Sequence, residues 1–311
     1  VPDFPQISLQ LRTFTNDPNH DWSTTLGLAK AMDVAGIDRV VVSDHVVFGE
    51  TPEAYANPAL GGVAGGRQPT GPNGQWLEPL TVLTAISATT SRIRLGTAVL
   101  LAALRRPAVL AKEVATLDVL SGGRVDLGVG VGWQREEYEA TGLDFERRGR
   151  ALDHTLEVCQ ALWTQQRATY SSPELSFDGI HQMPKPLQPG GVPIWVSGTV
   201  NAAVARRISR FGSGWIPWGT ARDDPAAAIS AMRDAIADAG GDPTTLQVQG
   251  NAVTVKRADG SLDVEATATS APPLVEAGVT DVRFTLSIPR NQHQAADLLS
   301  ELVRAFHAVT R

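Results

Sequence analysis

Short runs of β-branched and apolar residues recur along the chain, each followed by a helix-length stretch with apolar residues three and four apart. The first run is 7–11, with a helical stretch over 22–35. Residues 39–43, RVVVS, are nearly all apolar, as a strand covered on both faces should be. A helix over 79–90 and a strand over 93–99, IRLGTAV, come next. Pro107 suits the first turn of a helix, where its missing N–H costs nothing, and Ser121-Gly122-Gly123 stops that helix. The fourth strand is 125–131, VDLGVGV, and the helix after it carries Leu152, Leu156, Cys159 and Trp163 on one face. In the second half, strands over 193–197, 214–217, 246–255 and 281–286 each precede a helical segment. The third of those segments is interrupted by Pro272-Pro273, and the last carries Leu298, Leu302, Phe306 and Val309 as one stripe. The pattern predicts eight strand-then-helix units.

Parallel strands joined through helices need right-handed crossovers, and eight such units close into a barrel. The expected fold class is therefore α/β, a (β/α)8 TIM barrel forming one domain over 1–311. About 250 residues is typical of this barrel, so the surplus sits in insertions after strands two and four. Residues 46–76, rich in Gly, Pro and Asn and without a period, read as a long loop. Residues 167–188 read as a small hairpin, ATYSSPELSFDGI, and a Pro-rich connection. An open doubly wound sheet would need a Gly-rich nucleotide turn after the first strand, and none is present there.

Composition narrows the classes of function. With 42% hydrophobic and 19% charged residues, the 311-residue chain has globular composition. A net charge of −6 argues against a broad nucleic-acid surface. The longest apolar stretch, 95–104, is about half of what a membrane span needs, and Arg105-Arg106 close it. The opening VPDFPQ has neither a basic nor an apolar leader stretch, so a cytoplasmic chain is expected. The single cysteine, Cys159, excludes an intramolecular disulfide and a four-thiolate zinc site. The six histidines show no pair at metal-ligand spacing, and there is no Gly-x-Ser-x-Gly elbow. No metal is expected, and nucleophilic catalysis has no candidate.

In such a barrel, binding groups come from the C-terminal ends of the strands. After the second strand stand Asp44 and His45, suited either to a polar ring edge and a proton or to ordinary turn capping. The third strand ends in Gly96-Thr97-Ala98-Val99, small enough for a flat ligand to approach or for a kinked core strand. At the fourth strand, the alternating glycines 128, 130 and 132 leave one face without side chains before Trp133, with Val131 between them. The fifth strand gives Ser197-Gly198-Thr199 just before a helix, either a phosphate site or plain N-capping by Thr199 or Asn201. Trp215 and Trp218 make the sixth strand's end an aromatic rim that walls a ring or closes the barrel.

These strand-end motifs, in this order, resemble the bacterial luciferase-like superfamily of flavin- and deazaflavin-dependent oxidoreductases. The resemblance rests on VVVSDHV, RIRLGTAVLL, the long stretch from LDVLSGGRVDLGVGVGW to LEVCQALW, and PIWVSGTVNAAVARRISRFGSGWIP. The Gly-Trp ahead of Arg-Glu-Glu-Tyr and the Gly-Leu-Asp-Phe segment are most similar to the actinobacterial branch that uses coenzyme F420. The resemblance implies that Asp44 and His45 face the reacting ring, with His45 as proton donor or hydrogen-bond partner. It implies a bulge with a non-proline cis peptide at Ala98-Val99, behind the middle ring of the cofactor. It places Gly130, Val131, Gly132 and Trp133 along the ring and ribityl chain, and Ser197, Gly198 and Thr199 at the phosphate.

The implied activity is hydride transfer between F420 and a small organic substrate by a homodimer. The alternatives are an FMN-dependent monooxygenase using reduced flavin, O2 and a separate flavin reductase, or a non-catalytic flavin-binding homologue. The loop 46–76, with seven glycines, is placed to cover the substrate. Arg105-Arg106, Arg135 and Arg147-Arg148 are candidates for the polyanionic tail of the deazaflavin. One departure stands out. Relatives that oxidise glucose 6-phosphate have a glutamate directly after the Gly-x-Gly of the fourth strand, where this chain has Trp133, with Glu136 and Glu137 nearby. That puts sugar-phosphate activity in doubt and favours a flatter, less polar substrate.

Overall fold

In the computed structural model, which describes residues 4–310, eight parallel strands close into a barrel in the order of the chain. They are β1 (Gln6–Gln10), β2 (Arg39–Val42), β3 (Arg94–Thr97), β4 (Val125–Val129), β5 (Ile194–Gly198), β6 (Gly212–Pro217), β7 (Gln247–Asn251) and β8 (Asp281–Phe284). β8 pairs with β1 to complete the ring. Residues 1–3, where the leader expectation begins, lie outside the described residues.

Side chains alternate between the barrel interior and the helical layer, which is why the strands read as apolar runs. In β2, Val40 and Val42 pack outward with no exposure. Arg39 and Val41 point inward and, with Ser8, Asp126, Trp195 and Asp281, line a void of about 20 Å³, room for about one water. At the base of the barrel Arg39 pairs with Asp126 at 2.8 Å and also with Asp281, and Arg94 reaches Asp126 at 2.6 Å.

Helices α1 (Thr24–Ala35), α2 (Pro79–Ser87), α3 (Pro107–Ser121), α4 (Arg148–Thr164), α5 (Ala202–Phe211), α6 (Pro225–Asp238), α7 (Val264–Ala268) and α8 (Gln292–Thr310) cover the barrel. Pro107 opens α3 and Gly122 ends it in a left-handed conformation, φ 72°, as the sequence predicts. The prolines after α7 start a separate turn, Pro272–Glu276. Strand ends run shorter than predicted: β3 stops at Thr97, and the following Ala98–Val99 bond is cis, as the resemblance implies.

Both insertions sit where expected. Ala168–Ser171 and Ser176–Ile180 pair antiparallel as the predicted hairpin. The long loop holds two short 3₁₀ turns, Pro52–Ala56 and Pro58–Leu60, and ends in Gln75–Trp76, which pairs antiparallel with Phe14–Thr15. A two-residue strand carries no periodicity, so the pattern does not reveal it. Nor does it reveal the short helix Arg135–Ala140 between β4 and α4.

Candidate active site

Past Val42 the chain delivers Ser43, Asp44 and His45 to the C-terminal mouth of the barrel. Asp44 is buried and accepts hydrogen bonds from the Leu101 N–H at 2.9 Å and from Arg105 Nη1 at 2.7 Å. Arg105 also donates to Glu78 at 2.9 Å. Asp44 thus ties the end of β2 to the segment after β3, and its carboxylate is committed to that role. The same ion pair engages Arg105, one of the candidates for the cofactor tail, within the fold. Arg135 pairs with Glu146, Arg147 with Asp144, and Arg148 donates to the carbonyls of Phe145 and Leu60, so these three also serve local structure.

His45 stands differently. Its Nδ1 lies 3.2 Å from Oε1 of Glu137, which also accepts the Val46 N–H at 2.8 Å. Glu137 comes from the short helix after β4 and is fully buried. Its other oxygen, Oε2, has no hydrogen-bond partner among the described residues. Buried polar atoms are nearly always satisfied, so an orphan oxygen beside a half-buried imidazole marks a place for a polar ligand atom or water. With Nδ1 held by Glu137, Nε2 is the ring nitrogen left to a bound molecule.

Aromatic side chains surround this pair. The His45 ring centre is 4.5 Å from Phe48, 4.7 Å from Trp76 and 5.9 Å from Trp133. Tyr55 lies 5.4 Å from Trp133 and 6.1 Å from Trp218. The 46–76 loop is pinned over the mouth, because Trp218 Nε1 donates to the Gly61 carbonyl at 2.9 Å and Gln134 bonds both Val47 and Gly49.

The glycines of β4 have a different job from the one their spacing suggests. A Cβ on Gly128 would lie 1.9 Å from the Thr97 carbonyl oxygen, on Gly130 2.7 Å from Val99 Cγ2, and on Gly132 3.0 Å from Leu101 Cδ2. They admit the β3 extension against β4, so the space they leave is filled by protein. Thr97 is likewise buried, its hydroxyl donating to the Gly128 carbonyl at 2.7 Å. Ala98, Val99, Val131 and Gly132 are half-buried at the mouth, and Gly130 brings Val99 next to Ser197.

Ser197 and Gly198 are half-buried and Thr199 is exposed where β5 meets α5. Asn201 caps α5 by accepting the Val204 N–H at 2.9 Å and donates to the Thr199 hydroxyl at 3.1 Å. Capping by Asn201 leaves the Ser197 and Thr199 hydroxyls at the opening. A Cβ on Gly198 would sit 2.6 Å from Val204 Cγ2, so this strand end touches the helix start directly. Trp215, like the buried Thr97, is an expected site residue that does not reach the opening. It points out of the barrel with no exposure, and its Nε1 donates to the Gly198 carbonyl at 2.9 Å. Strand alternation explains this, and the aromatic at the rim is Trp218.

Sequence reasoning passed over Phe48, Tyr55, Trp76, Arg222 and Arg283, which come from an aperiodic loop or the later strand ends. Glu137 carried a faint signal as one of two carboxylates following Trp133. Cys159 is buried, and burial pushes its thiol up to about 12, which leaves it inert. Among the described residues no group of His, Cys, Asp and Glu is placed to hold a metal, and no helix is long and apolar enough to cross a membrane.

A parallel barrel with an imidazole–carboxylate pair, an aromatic enclosure and a hydroxyl-bearing helix start at its C-terminal mouth has the layout of a barrel enzyme for a ring-bearing ligand. The chain belongs to the luciferase-like monooxygenase family, which matches it over residues 7–271. It is 38% identical over 209 residues to the uncharacterized protein Rv0953c of Mycobacterium tuberculosis, covering 67% of this chain and 69% of that one. It is 35% identical over 186 residues to the F420-dependent glucose-6-phosphate dehydrogenase of Segniliparus rotundus, 58% of this chain and 48% of the relative. In fold it is similar to the monooxygenase RslO1 of Streptomyces bottropensis, with a TM-score of 0.74 at 19% identity over 97% of this chain and 99% of that one.

Proposed function

We propose that the protein is an F420-dependent oxidoreductase that moves a hydride between the deazaflavin and a small organic substrate. The observation that carries this reading is the His45–Glu137 pair, enclosed by Phe48, Trp76 and Trp133 just past the end of β2, with the half-buried Ala98 and Val99 just past the end of the neighbouring β3. The similarity to an F420-dependent relative favours the deazaflavin over FMN. The residues present fit such a group: His45 Nε2, left open because Nδ1 is held by Glu137, suits a polar ring edge. The Ser197 and Thr199 hydroxyls with the start of α5 suit a phosphate.

When bound, the deazaflavin supplies the two-electron hydride chemistry. The chain's own groups set geometry and proton traffic. His45 Nε2 holds or passes a proton at the substrate's reacting oxygen, while Glu137 fixes the ring's orientation through Nδ1. Phe48, Trp76 and Trp133 keep water out. Val99 would back the cofactor ring, and Asp44 keeps the β2 and β3 ends together through Leu101.

Titrating the purified protein with F420 and with FMN, each followed by fluorescence, tests the reading. F420 is expected to bind with a micromolar-range Kd and FMN at least about tenfold more weakly, a difference of about 1.4 kcal/mol. Gly198→Leu is expected to weaken F420 binding, because the added side chain meets Val204 and shifts the helix start. Binding of FMN with no binding of F420 would replace this reading by that of a monooxygenase served by a separate flavin reductase.

A further inference from the structure

The interior positions at the top of β7 and β8 are Asn251 and Arg283, and the loop after β6 adds Arg222 beside them. Arg283 Nε donates to Asn251 Oδ1 at 3.0 Å. Arg222 Nε donates to the Pro217 carbonyl at 2.9 Å, and its guanidinium stacks on Trp218 at 4.5 Å. Trp218 in turn touches Tyr55 of the covering loop. These contacts hold both guanidinium groups without neutralising either. Among the described residues no carboxylate lies within 4.0 Å of Arg222 or Arg283, although ten other arginines of the chain are paired. The adjacent Asp224 is occupied in capping α6 through the Ala227 N–H.

Burial and the repulsion of Arg222 push the Arg283 guanidinium down to about 9, and burial lowers that of Arg222 as well. Burial also raises the Tyr55 hydroxyl, with both arginines acting against it. Arg222 and Arg283 are nevertheless half-buried, with part of each surface open to solvent. A cavity of about 50 Å³ lies beside Arg222 and Asn251. Two like charges brought together in a recess, away from carboxylates, are costly unless an anion joins them.

We propose that Arg222 and Arg283, with Asn251 and Tyr55, form an anion subsite in the barrel mouth that takes the carboxylate or phosphate end of the substrate. The assignment to substrate rests on the redox reading above, which gives the cofactor phosphate its own place at Ser197–Thr199. The subsite uses fork-shaped donors suited to a planar carboxylate or a phosphate, and a tyrosine hydroxyl as a neutral donor. Trp133 then packs the apolar body of the substrate, so the favoured molecule is a flat one with a single anionic end.

The test uses the full chain without cofactor, titrated with benzoate, phenyl phosphate and, as the uncharged control, benzyl alcohol. Tryptophan fluorescence, read in the parent and in Trp218→Phe so that the part due to Trp218 is separated from the other six tryptophans, reports the surroundings of Trp218, and thermal melting reports stabilisation by binding. At least one of the two anions is expected to bind about tenfold or more tightly than the alcohol and to raise the Tm. The stronger of the two identifies carboxylate or phosphate as the natural end. Arg283→Gln and Arg222→Gln are each expected to weaken anion binding by about tenfold, and Arg283→Lys by less.

Unliganded Arg283→Gln should melt no lower than the parent chain, because it removes a repulsion, and this separates lost binding from lost folding. The proposal is overturned if both anions bind no better than the alcohol, or if Arg283→Gln binds them as the parent does. It is also overturned if Arg283→Gln weakens F420 binding and leaves the small anions unaffected, which would give the arginines to the cofactor's tail. If neither F420 nor FMN binds while the anions do, the redox reading fails and the anion subsite stands.

Discussion

His45 and Glu137 form a pair of a half-buried ring and a fully buried anchor. Glu137→Gln keeps the volume and removes the negative charge that holds the imidazole Nδ1–H, so the ring loses its fixed orientation. On the redox reading proposed above, turnover is expected to fall by about 10²-fold with little change in KM, and the pH profile of kcat should move. His45→Ala should cost at least as much. The double variant should be no slower than His45→Ala alone, because Glu137 acts through His45. A drop in Tm with an unmoved pH profile would reduce Glu137 to a packing residue. The sequence made His45 legible because a strand end carried it, whereas Glu137 was only one of two nearby carboxylates. Its burial depends on the helix Arg135–Ala140, whose six residues are too few to show a face. The sequence points to Trp215 as the ring-binding residue of the pair Trp215 and Trp218, and only alternation about the barrel wall separates the core residue from the rim residue.

At the scale of elements, the barrel strands and the helices α1 to α6 and α8 were readable because their periodicities differ and proline or glycine marks several of their ends. The loop 46–76 was readable only as a loop. What shapes it are contacts distant in sequence, such as Trp218 Nε1 to the Gly61 carbonyl and Gln134 to Val47 and Gly49. Trp218→Phe keeps an aromatic ring beside Tyr55 and removes the bond to Gly61. Global stability should change by about 1 kcal/mol or less, while amide exchange across 55–66 should quicken. Unchanged exchange would mean that packing alone holds the loop. The start of α5 gives a second test at this scale. Asn201→Ala deletes the cap on Val204 and the bond to Thr199, so chemical denaturation should show a loss of about 1 kcal/mol. On the proposed placing of the cofactor phosphate at Thr199, cofactor affinity should fall too.

For the whole molecule, the repeated strand–helix unit was enough to infer closure, since eight parallel units have few other ways to bury both faces. The charge cluster that fills the base of the barrel was not legible, because Arg39 and Asp126 lie 87 positions apart and meet only once the ring is closed. Burial pushes the Asp126 carboxyl up, but Arg39 and Arg94 outweigh it and hold the group below its ordinary value. A carboxyl lowered by folding contributes stability above the unfolded pKa of about 3.9, and that contribution is lost as pH falls through the lower native value. Asp126→Asn leaves Arg94 without its carboxylate and Arg39 with Asp281 alone, so at neutral pH it should cost about 3 kcal/mol in urea unfolding. The gap between parent and variant should then begin to narrow below about pH 4, where the carboxyl of the unfolded parent takes up a proton, and close as the pH falls through the lower native value. A gap that stays constant down to the acid unfolding of both proteins would show that the lost bonds act through shape and not through charge.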